Sequence, residues 1–129
     1  MFIPIKAYGA NDMKGYIKDG DKETRILQLS GELVIQHAEE LRSLLLESLE
    51  NKSNIEIDLS MVTDADISSL QLLCSAHKTS IFQSKSLKFI GKISDAFRQN
   101  VETSGFYRTK GCSLDRDKQC FWIKENYDW

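Results

Sequence analysis

Proline occurs once, at Pro4, so no proline-rich linker divides the chain. There is no internal repeat and no low-complexity tract. No apolar run approaches the roughly 18 residues that a membrane-crossing helix needs. The opening stretch MFIPIKAYGANDMKG carries neither a long apolar core nor a clear cleavage site, as a secretory leader would. A cytoplasmic protein with no membrane insertion is therefore expected. Basic residues are not in excess: 17 Lys and Arg stand against 19 Asp and Glu, a formal net charge of -2. Without a basic stripe, nucleic acid is not an expected partner. Cysteine is scarce and odd in number, three in all: Cys74, Cys112 and Cys120. That is no disulfide framework, and free thiols are the cytosolic default. Spacing leaves a Cys112–Cys120 pair open without requiring it. Cys74 and His77 stand three apart, but no second close pair completes a zinc pattern, so no metal or other cofactor is expected.

Catalytic signatures are missing as well. There is no G-x-S-x-G elbow and no G-x-x-x-x-G-K-[ST] loop, and no motif links His37 or His77 to a serine. His37, early in a helical run, reads as a capping or surface residue. The expectation is a protein that is not an enzyme.

What is present is an ordinary soluble mixture, 41% hydrophobic and 28% charged over 129 residues. That length suits one domain with one core. A weak edge strand is expected around Gly15 to Lys18. TRILQLSGEL alternates and reads as a strand ending near Ser30-Gly31. In VIQHAEELRSLLLESLENK, Ala38, Leu41, Leu45 and Leu49 recur at helical spacing, with Asn51 and Lys52 suited to the end. NIEIDLS is a second strong strand, with Ile55, Ile57 and Leu59 on one face. A short acidic turn, VTDAD, follows. ISSLQLLCSAHKTSIFQS then reads as a second helix whose apolar side is Leu70, Leu73, Cys74, His77 and Ile81. SLKFIGK is a third strand. SDAFRQNVETSGF is a third helix, with Ser94 placed to cap its start and Gly105 to stop it. Cys120 to Lys124 reads as a last edge strand. Trp122, Tyr127 and Trp129 either cover an edge of the core or, if exposed together, offer a partner surface. Strands alternating with helices imply an α/β layer structure.

Three stretches carry a family likeness: LQLSGEL followed by QHAEELRSLLLESLEN, then DLSMVTDADISSLQLL, then ISDAFRQNVETSGF. Together they resemble the STAS domain, the sulfate-transporter and anti-sigma-factor-antagonist family, over about Thr24 to Phe106. The middle stretch is similar to the family's D-L-S-x-V-x-x-x-D-S-S-G-L. The QLL that follows resembles small STAS proteins found with bacterial chemotaxis and two-component systems. The resemblance implies a small mixed sheet with helices mainly on one side, here as one domain over 1–129 with its core at about 24–106. It also implies a regulatory module in a bacterial partner switch. Such a module docks on a kinase-like anti-sigma factor, a histidine kinase or another regulator, and serine phosphorylation at the second helix start releases it. Position by position, Asp66 matches the aspartate before the serine pair. Ile67 stands at the usual acceptor, Ser68 matches the second serine, Ser69 replaces the glycine, and Leu70 matches the leucine. Val34 stands where many antagonists carry an aspartate after G-E-L. Ser68 and Ser69 are thus the phosphorylation candidates, and Val34, Asp64, Ala65, Asp66, Ile67 and Leu70 the candidate contact residues. Two alternatives stay open: a constitutive STAS subunit of an ABC lipid-transport complex, and a small-molecule sensor with a polar pocket near His37 or His77.

Overall fold

A computed structural model describes residues 12–115 and 118–129. The opening segment with Pro4 and Gly9 lies outside them. The elements run β1 (Met13–Asp19), β2 (Thr24–Leu33), a 3-10 turn (Ile35–His37), α1 (Ala38–Ser48), β3 (Asn54–Ala65), α2 (Ile67–Phe82), β4 (Ser86–Ile90), α3 (Asp95–Ser104) and a second 3-10 turn (Lys124–Asn126). The sheet has the order β1-β2-β3-β4. β1 runs antiparallel to β2, whereas β2–β3 and β3–β4 are parallel. This is the mixed sheet that the family resemblance implies.

One face of the sheet is sealed. Leu27, Leu29 and Leu33 of β2 and Ile55, Ile57 and Leu59 of β3 are almost wholly buried. Leu41 and Leu45 of α1, Leu70 and Leu73 of α2, and Phe97 and Val101 of α3 meet them. Burying each such leucine is worth roughly 1.5–3 kcal/mol, so packing rather than propensity holds the helices. The alternate positions Gln28, Glu56 and Asp58 are half-buried on the other face.

Local signals set the helix limits. Ser94 Oγ accepts from Phe97 N–H at 3.2 Å, and Gly105 ends α3 at φ 71°. No capping hydrogen bond comes from His37, which precedes α1.

Two expectations are corrected. VTDA is not a turn but the last part of β3, which runs on to Ala65. The pairing of β2 with β3 shifts between Gln28 and Ser30 and again between Gly31 and Glu32. Each shift places an extra residue in β3, a bulge that re-aims the following side chains. The inward positions therefore pass from every second residue to Leu59, Val62 and Ala65, all buried. β2 correspondingly extends past Ser30-Gly31 to Leu33.

Nor is Cys120 to Lys124 a strand. Among the described residues its strand-type pairing amounts to isolated bridges, Arg108 to Ile123, with Lys92 to Asp128 nearby. The neighbours Phe121 and Trp122 are both buried, which an alternating edge strand does not allow. Phe121 instead stacks on Phe89 of β4, ring centres 3.9 Å apart, and Trp129 stacks on Phe97 of α3 at 6.0 Å. The aromatic tail is packed into the core, as the first of its two readings has it.

Candidate docking site

β2 and β3 are parallel neighbours, so the helices that follow them start at the same end of the sheet. In open α/β sheets, ligands gather outside such carboxyl ends. Here the end of β2 turns through Val34 into Ile35–His37, and β3 passes through Asp66 directly into α2.

Asp66 links the two turns. Its backbone N–H donates to Leu33 O at 3.1 Å. One carboxylate oxygen accepts from Ile35 N–H at 2.9 Å. The other accepts from Ser69 N–H at 3.3 Å and, in a short hydrogen bond, from Ser68 Oγ. It is the N-cap that its position predicts, because a carboxylate satisfies amides that the first helical turn leaves free. Partial burial pushes its pKa up, but the hydrogen bonds from Ser68, Ile35 and Ser69 outweigh this and hold the carboxyl below its ordinary range.

The residues singled out in the sequence fall into two groups. Ala65 (2% exposed), Ser69 (1%) and Leu70 (0%) are inside. Ser69 Oγ donates back to Asp66 O at 2.8 Å. These three side chains are packed inside the corner, and the Ser69 hydroxyl is turned onto the chain's own backbone rather than toward solvent. A signal for this existed: Ser69 precedes Leu73, Ala76 and Ser80 by four, seven and eleven residues, the buried stripe of α2. Ile67 is half exposed (50%), and Ser68, Asp64, Asp66 and Val34 are half-buried. Asp64 is held in place, with Oδ1 accepting from Ala65 N–H at 2.8 Å and from Asn100 Nδ2 of α3 at 3.2 Å.

Ile35 is the residue that sequence reasoning missed. It is 62% exposed. With Ala38, Glu39, Arg42, Ser68, Gln71 and Leu72 it lines a groove between α1 and α2. A second stretch, lined by Arg42, Leu45, Leu46, Leu72 and Thr79 among others, shares Arg42 and Leu72 with the first. The corner thus pairs two exposed isoleucines with a carboxylate-locked helix start, and Arg42 faces the groove that Ser68 lines.

Residues 18–111 match the family model described as Mlab, STAS domain. The chain belongs to the STAS family. No curated protein matches its sequence. Among solved structures, an anti-sigma factor antagonist from Mycobacterium paratuberculosis aligns with this STAS chain at a TM-score of 0.64. The identity is 16%, over 90% of this chain and 91% of that one. The Bacillus cell fate determinant SpoIIAA in its phosphorylated form aligns at 0.56 and 17% identity, over 71% and 84% of the two chains. The murine Solute Carrier 26 family member A9 anion transporter aligns at 0.63 and 10% identity, over 95% of this chain and 23% of the transporter. At these identities the likeness is one of fold. No helix among the described residues is long and apolar enough to cross a membrane.

Proposed function

We propose that this STAS chain is a non-enzymatic regulatory binding module of the cytoplasm. It docks on a protein partner, a kinase-like anti-sigma factor or comparable regulator, through the corner where α1 and α2 begin. The observation that carries this reading is the exposure of Ile35 and Ile67, 62% and 50%, on either side of a helix start that Asp66 fixes. Rigid apolar side chains ringed by polar groups are what an interface core uses.

Ser68 is the acceptor through which such docking is switched. Its hydroxyl now donates to Asp66. A phosphate there removes the donor and sets a dianion against the carboxylate. Like charges about 4 Å apart repel by about 1 kcal/mol in water and about 4 kcal/mol at an effective dielectric of 20. A partner that covers the corner raises this cost. A loss of ~2.8 kcal/mol is a hundredfold in affinity. The phosphorylated form lets go.

The test uses Ile67→Asp and Ser68→Ala. A protein captured by the wild type and lost from Ile67→Asp, by tenfold or more in dissociation constant, supports the corner as the contact. Equal affinity moves the interface elsewhere. Incubation with that partner and ATP should place phosphate on the wild type and none on Ser68→Ala.

A second reading has one observation in its favour: Ile67 occupies the position of the usual acceptor. A constitutive subunit of an ABC lipid-transport complex has no need of a switch. It predicts that an ABC ATPase copurifies with the chain and transfers no phosphate to it. The sensor reading is disfavoured at His77. That residue packs against Phe121, and the cavity beside it measures about 30 Å³, room for roughly two waters.

A further inference from the structure

All three cysteines meet at that small cavity. Cys74 comes from α2, and Cys112 and Cys120 come from the segment beyond α3; His77, Lys78, Arg108 and Asp115 join the rings of Phe121 and Trp122 in the lining. The cavity holds about 30 Å³. By this measure one water needs about 10–15 Å³, so a two-oxygen molecule fits and a metabolite does not. Among the described residues no three His, Cys, Asp or Glu are disposed to hold a metal ion, so the meeting is one of thiols.

The thiols are not equivalent. Cys74 and Cys112 are half-buried and Cys120 is buried. Lys78 follows Cys74 by one helical turn, and Arg108 adds a second cation to the lining. Both cations border the space that the Cys74 side chain borders. Cys120 is held by the tail, its N–H donating to Asp115 Oδ2 at 3.3 Å.

We propose that Cys74 and Cys120 form an oxidation-sensitive dithiol that reduces a peroxide and becomes a disulfide. The Cys74 sulfur attacks one peroxide oxygen and gives up its proton. The O–O bond breaks, and the departing hydroxide takes up a proton and leaves as water. The Cys74 sulfenic acid that results is attacked by the Cys120 sulfur. An S–S bond forms, the S–O bond breaks, and the hydroxyl leaves with the Cys120 proton as a second water. The two sulfurs together give up two electrons, and the peroxide accepts them. The product ties the aromatic tail to α2 and closes the loop between residues 74 and 120, which constrains the unfolded chain. This step does not depend on the docking corner.

The test is direct. The fully reduced chain is treated with equimolar hydrogen peroxide, alkylated under denaturing conditions, weighed intact and mapped by peptide. The expected result is a loss of two hydrogens, one alkylated thiol at Cys112, and a cross-link between the peptides of Cys74 and Cys120. Cys112→Ser should keep the cross-link, Cys74→Ser should lose it, and the oxidised wild type should unfold at higher urea than the reduced. Three alkylated thiols, a link through Cys112, a link between two chains, or oxygen added to Cys74 with no link would each overturn the assignment.

Discussion

One carboxylate, Asp66, accepts from the N–H groups of Ile35 and Ser69 and from the Ser68 hydroxyl, so a single side chain joins two helix starts. Removing a carboxylate N-cap costs about 0.5–2 kcal/mol, and here a second turn comes loose with it. Asp66→Ala should therefore lower the unfolding free energy measured in urea by an amount at the upper end of that range. The pH dependence follows from the same bonds. Because the folded pKa lies below the ordinary 3.8, the stabilisation is present in full above that value and is lost as pH falls through the folded pKa. The gap in urea midpoint between wild type and Asp66→Asn should hold from neutral pH down to about 4 and close only below it. A gap already closing near pH 6 would contradict this. At this scale the capping role was legible, because it is a local relation between Asp66 and the turn after it. The tie to Ile35 was not, because it spans 31 positions and exists only once β2 and β3 lie side by side.

The strands show the same division between local and long-range information. Ile55, Ile57 and Leu59 alternate, so the first half of β3 was readable from period two alone. The second half was not, because its bulges are set by pairing with β2, and Val62 and Ala65 fall at steps of three rather than two. Those bulges decide which residues face solvent; Met61, next to the buried Val62, is 61% exposed. The end of β2 depends on Gly31. Its φ is 84°, and an added Cβ would stand 2.0 Å from Asp12 O, the carbonyl that accepts from Glu32 N–H. A side chain there forces a left-handed backbone, at a cost of roughly 1–2 kcal/mol, and a shift of β1 as well. Gly31→Ala should lower the urea midpoint by at least that equivalent. It should also disturb the amide resonances of Glu32 through Ile35, which lead into the corner. A variant with unchanged midpoint and resonances would show that β1 yields freely.

The tail is what makes the whole molecule differ from its family outline. The family match ends at residue 111, whereas Phe121, Trp122 and Trp129 pack into the core beyond it. The family match stops short of them, and two consecutive buried aromatics defeat an alternation rule. Phe106 meets Trp122 edge-on at 5.3 Å, and Arg108 N–H donates to Trp122 O at 2.7 Å, so the tail is bound by rings and backbone alike. Trp122→Ala should cost about 3–5 kcal/mol, the range for a large aromatic lost from a core. A separable tail would behave differently, and the sequence supplies the probe that distinguishes the two cases. Both tryptophans, Trp122 and Trp129, lie in this segment, whereas all three α-helices lie before it. Tryptophan fluorescence therefore reports on the tail, and far-ultraviolet circular dichroism reports mainly on the helices. If tail and sheet share one core, the two signals should change at the same urea concentration in the wild type. In Trp122→Ala, the remaining Trp129 signal and the helix signal should move down together. Fluorescence that changes well before the helices melt would mean that the tail docks on a core already complete without it.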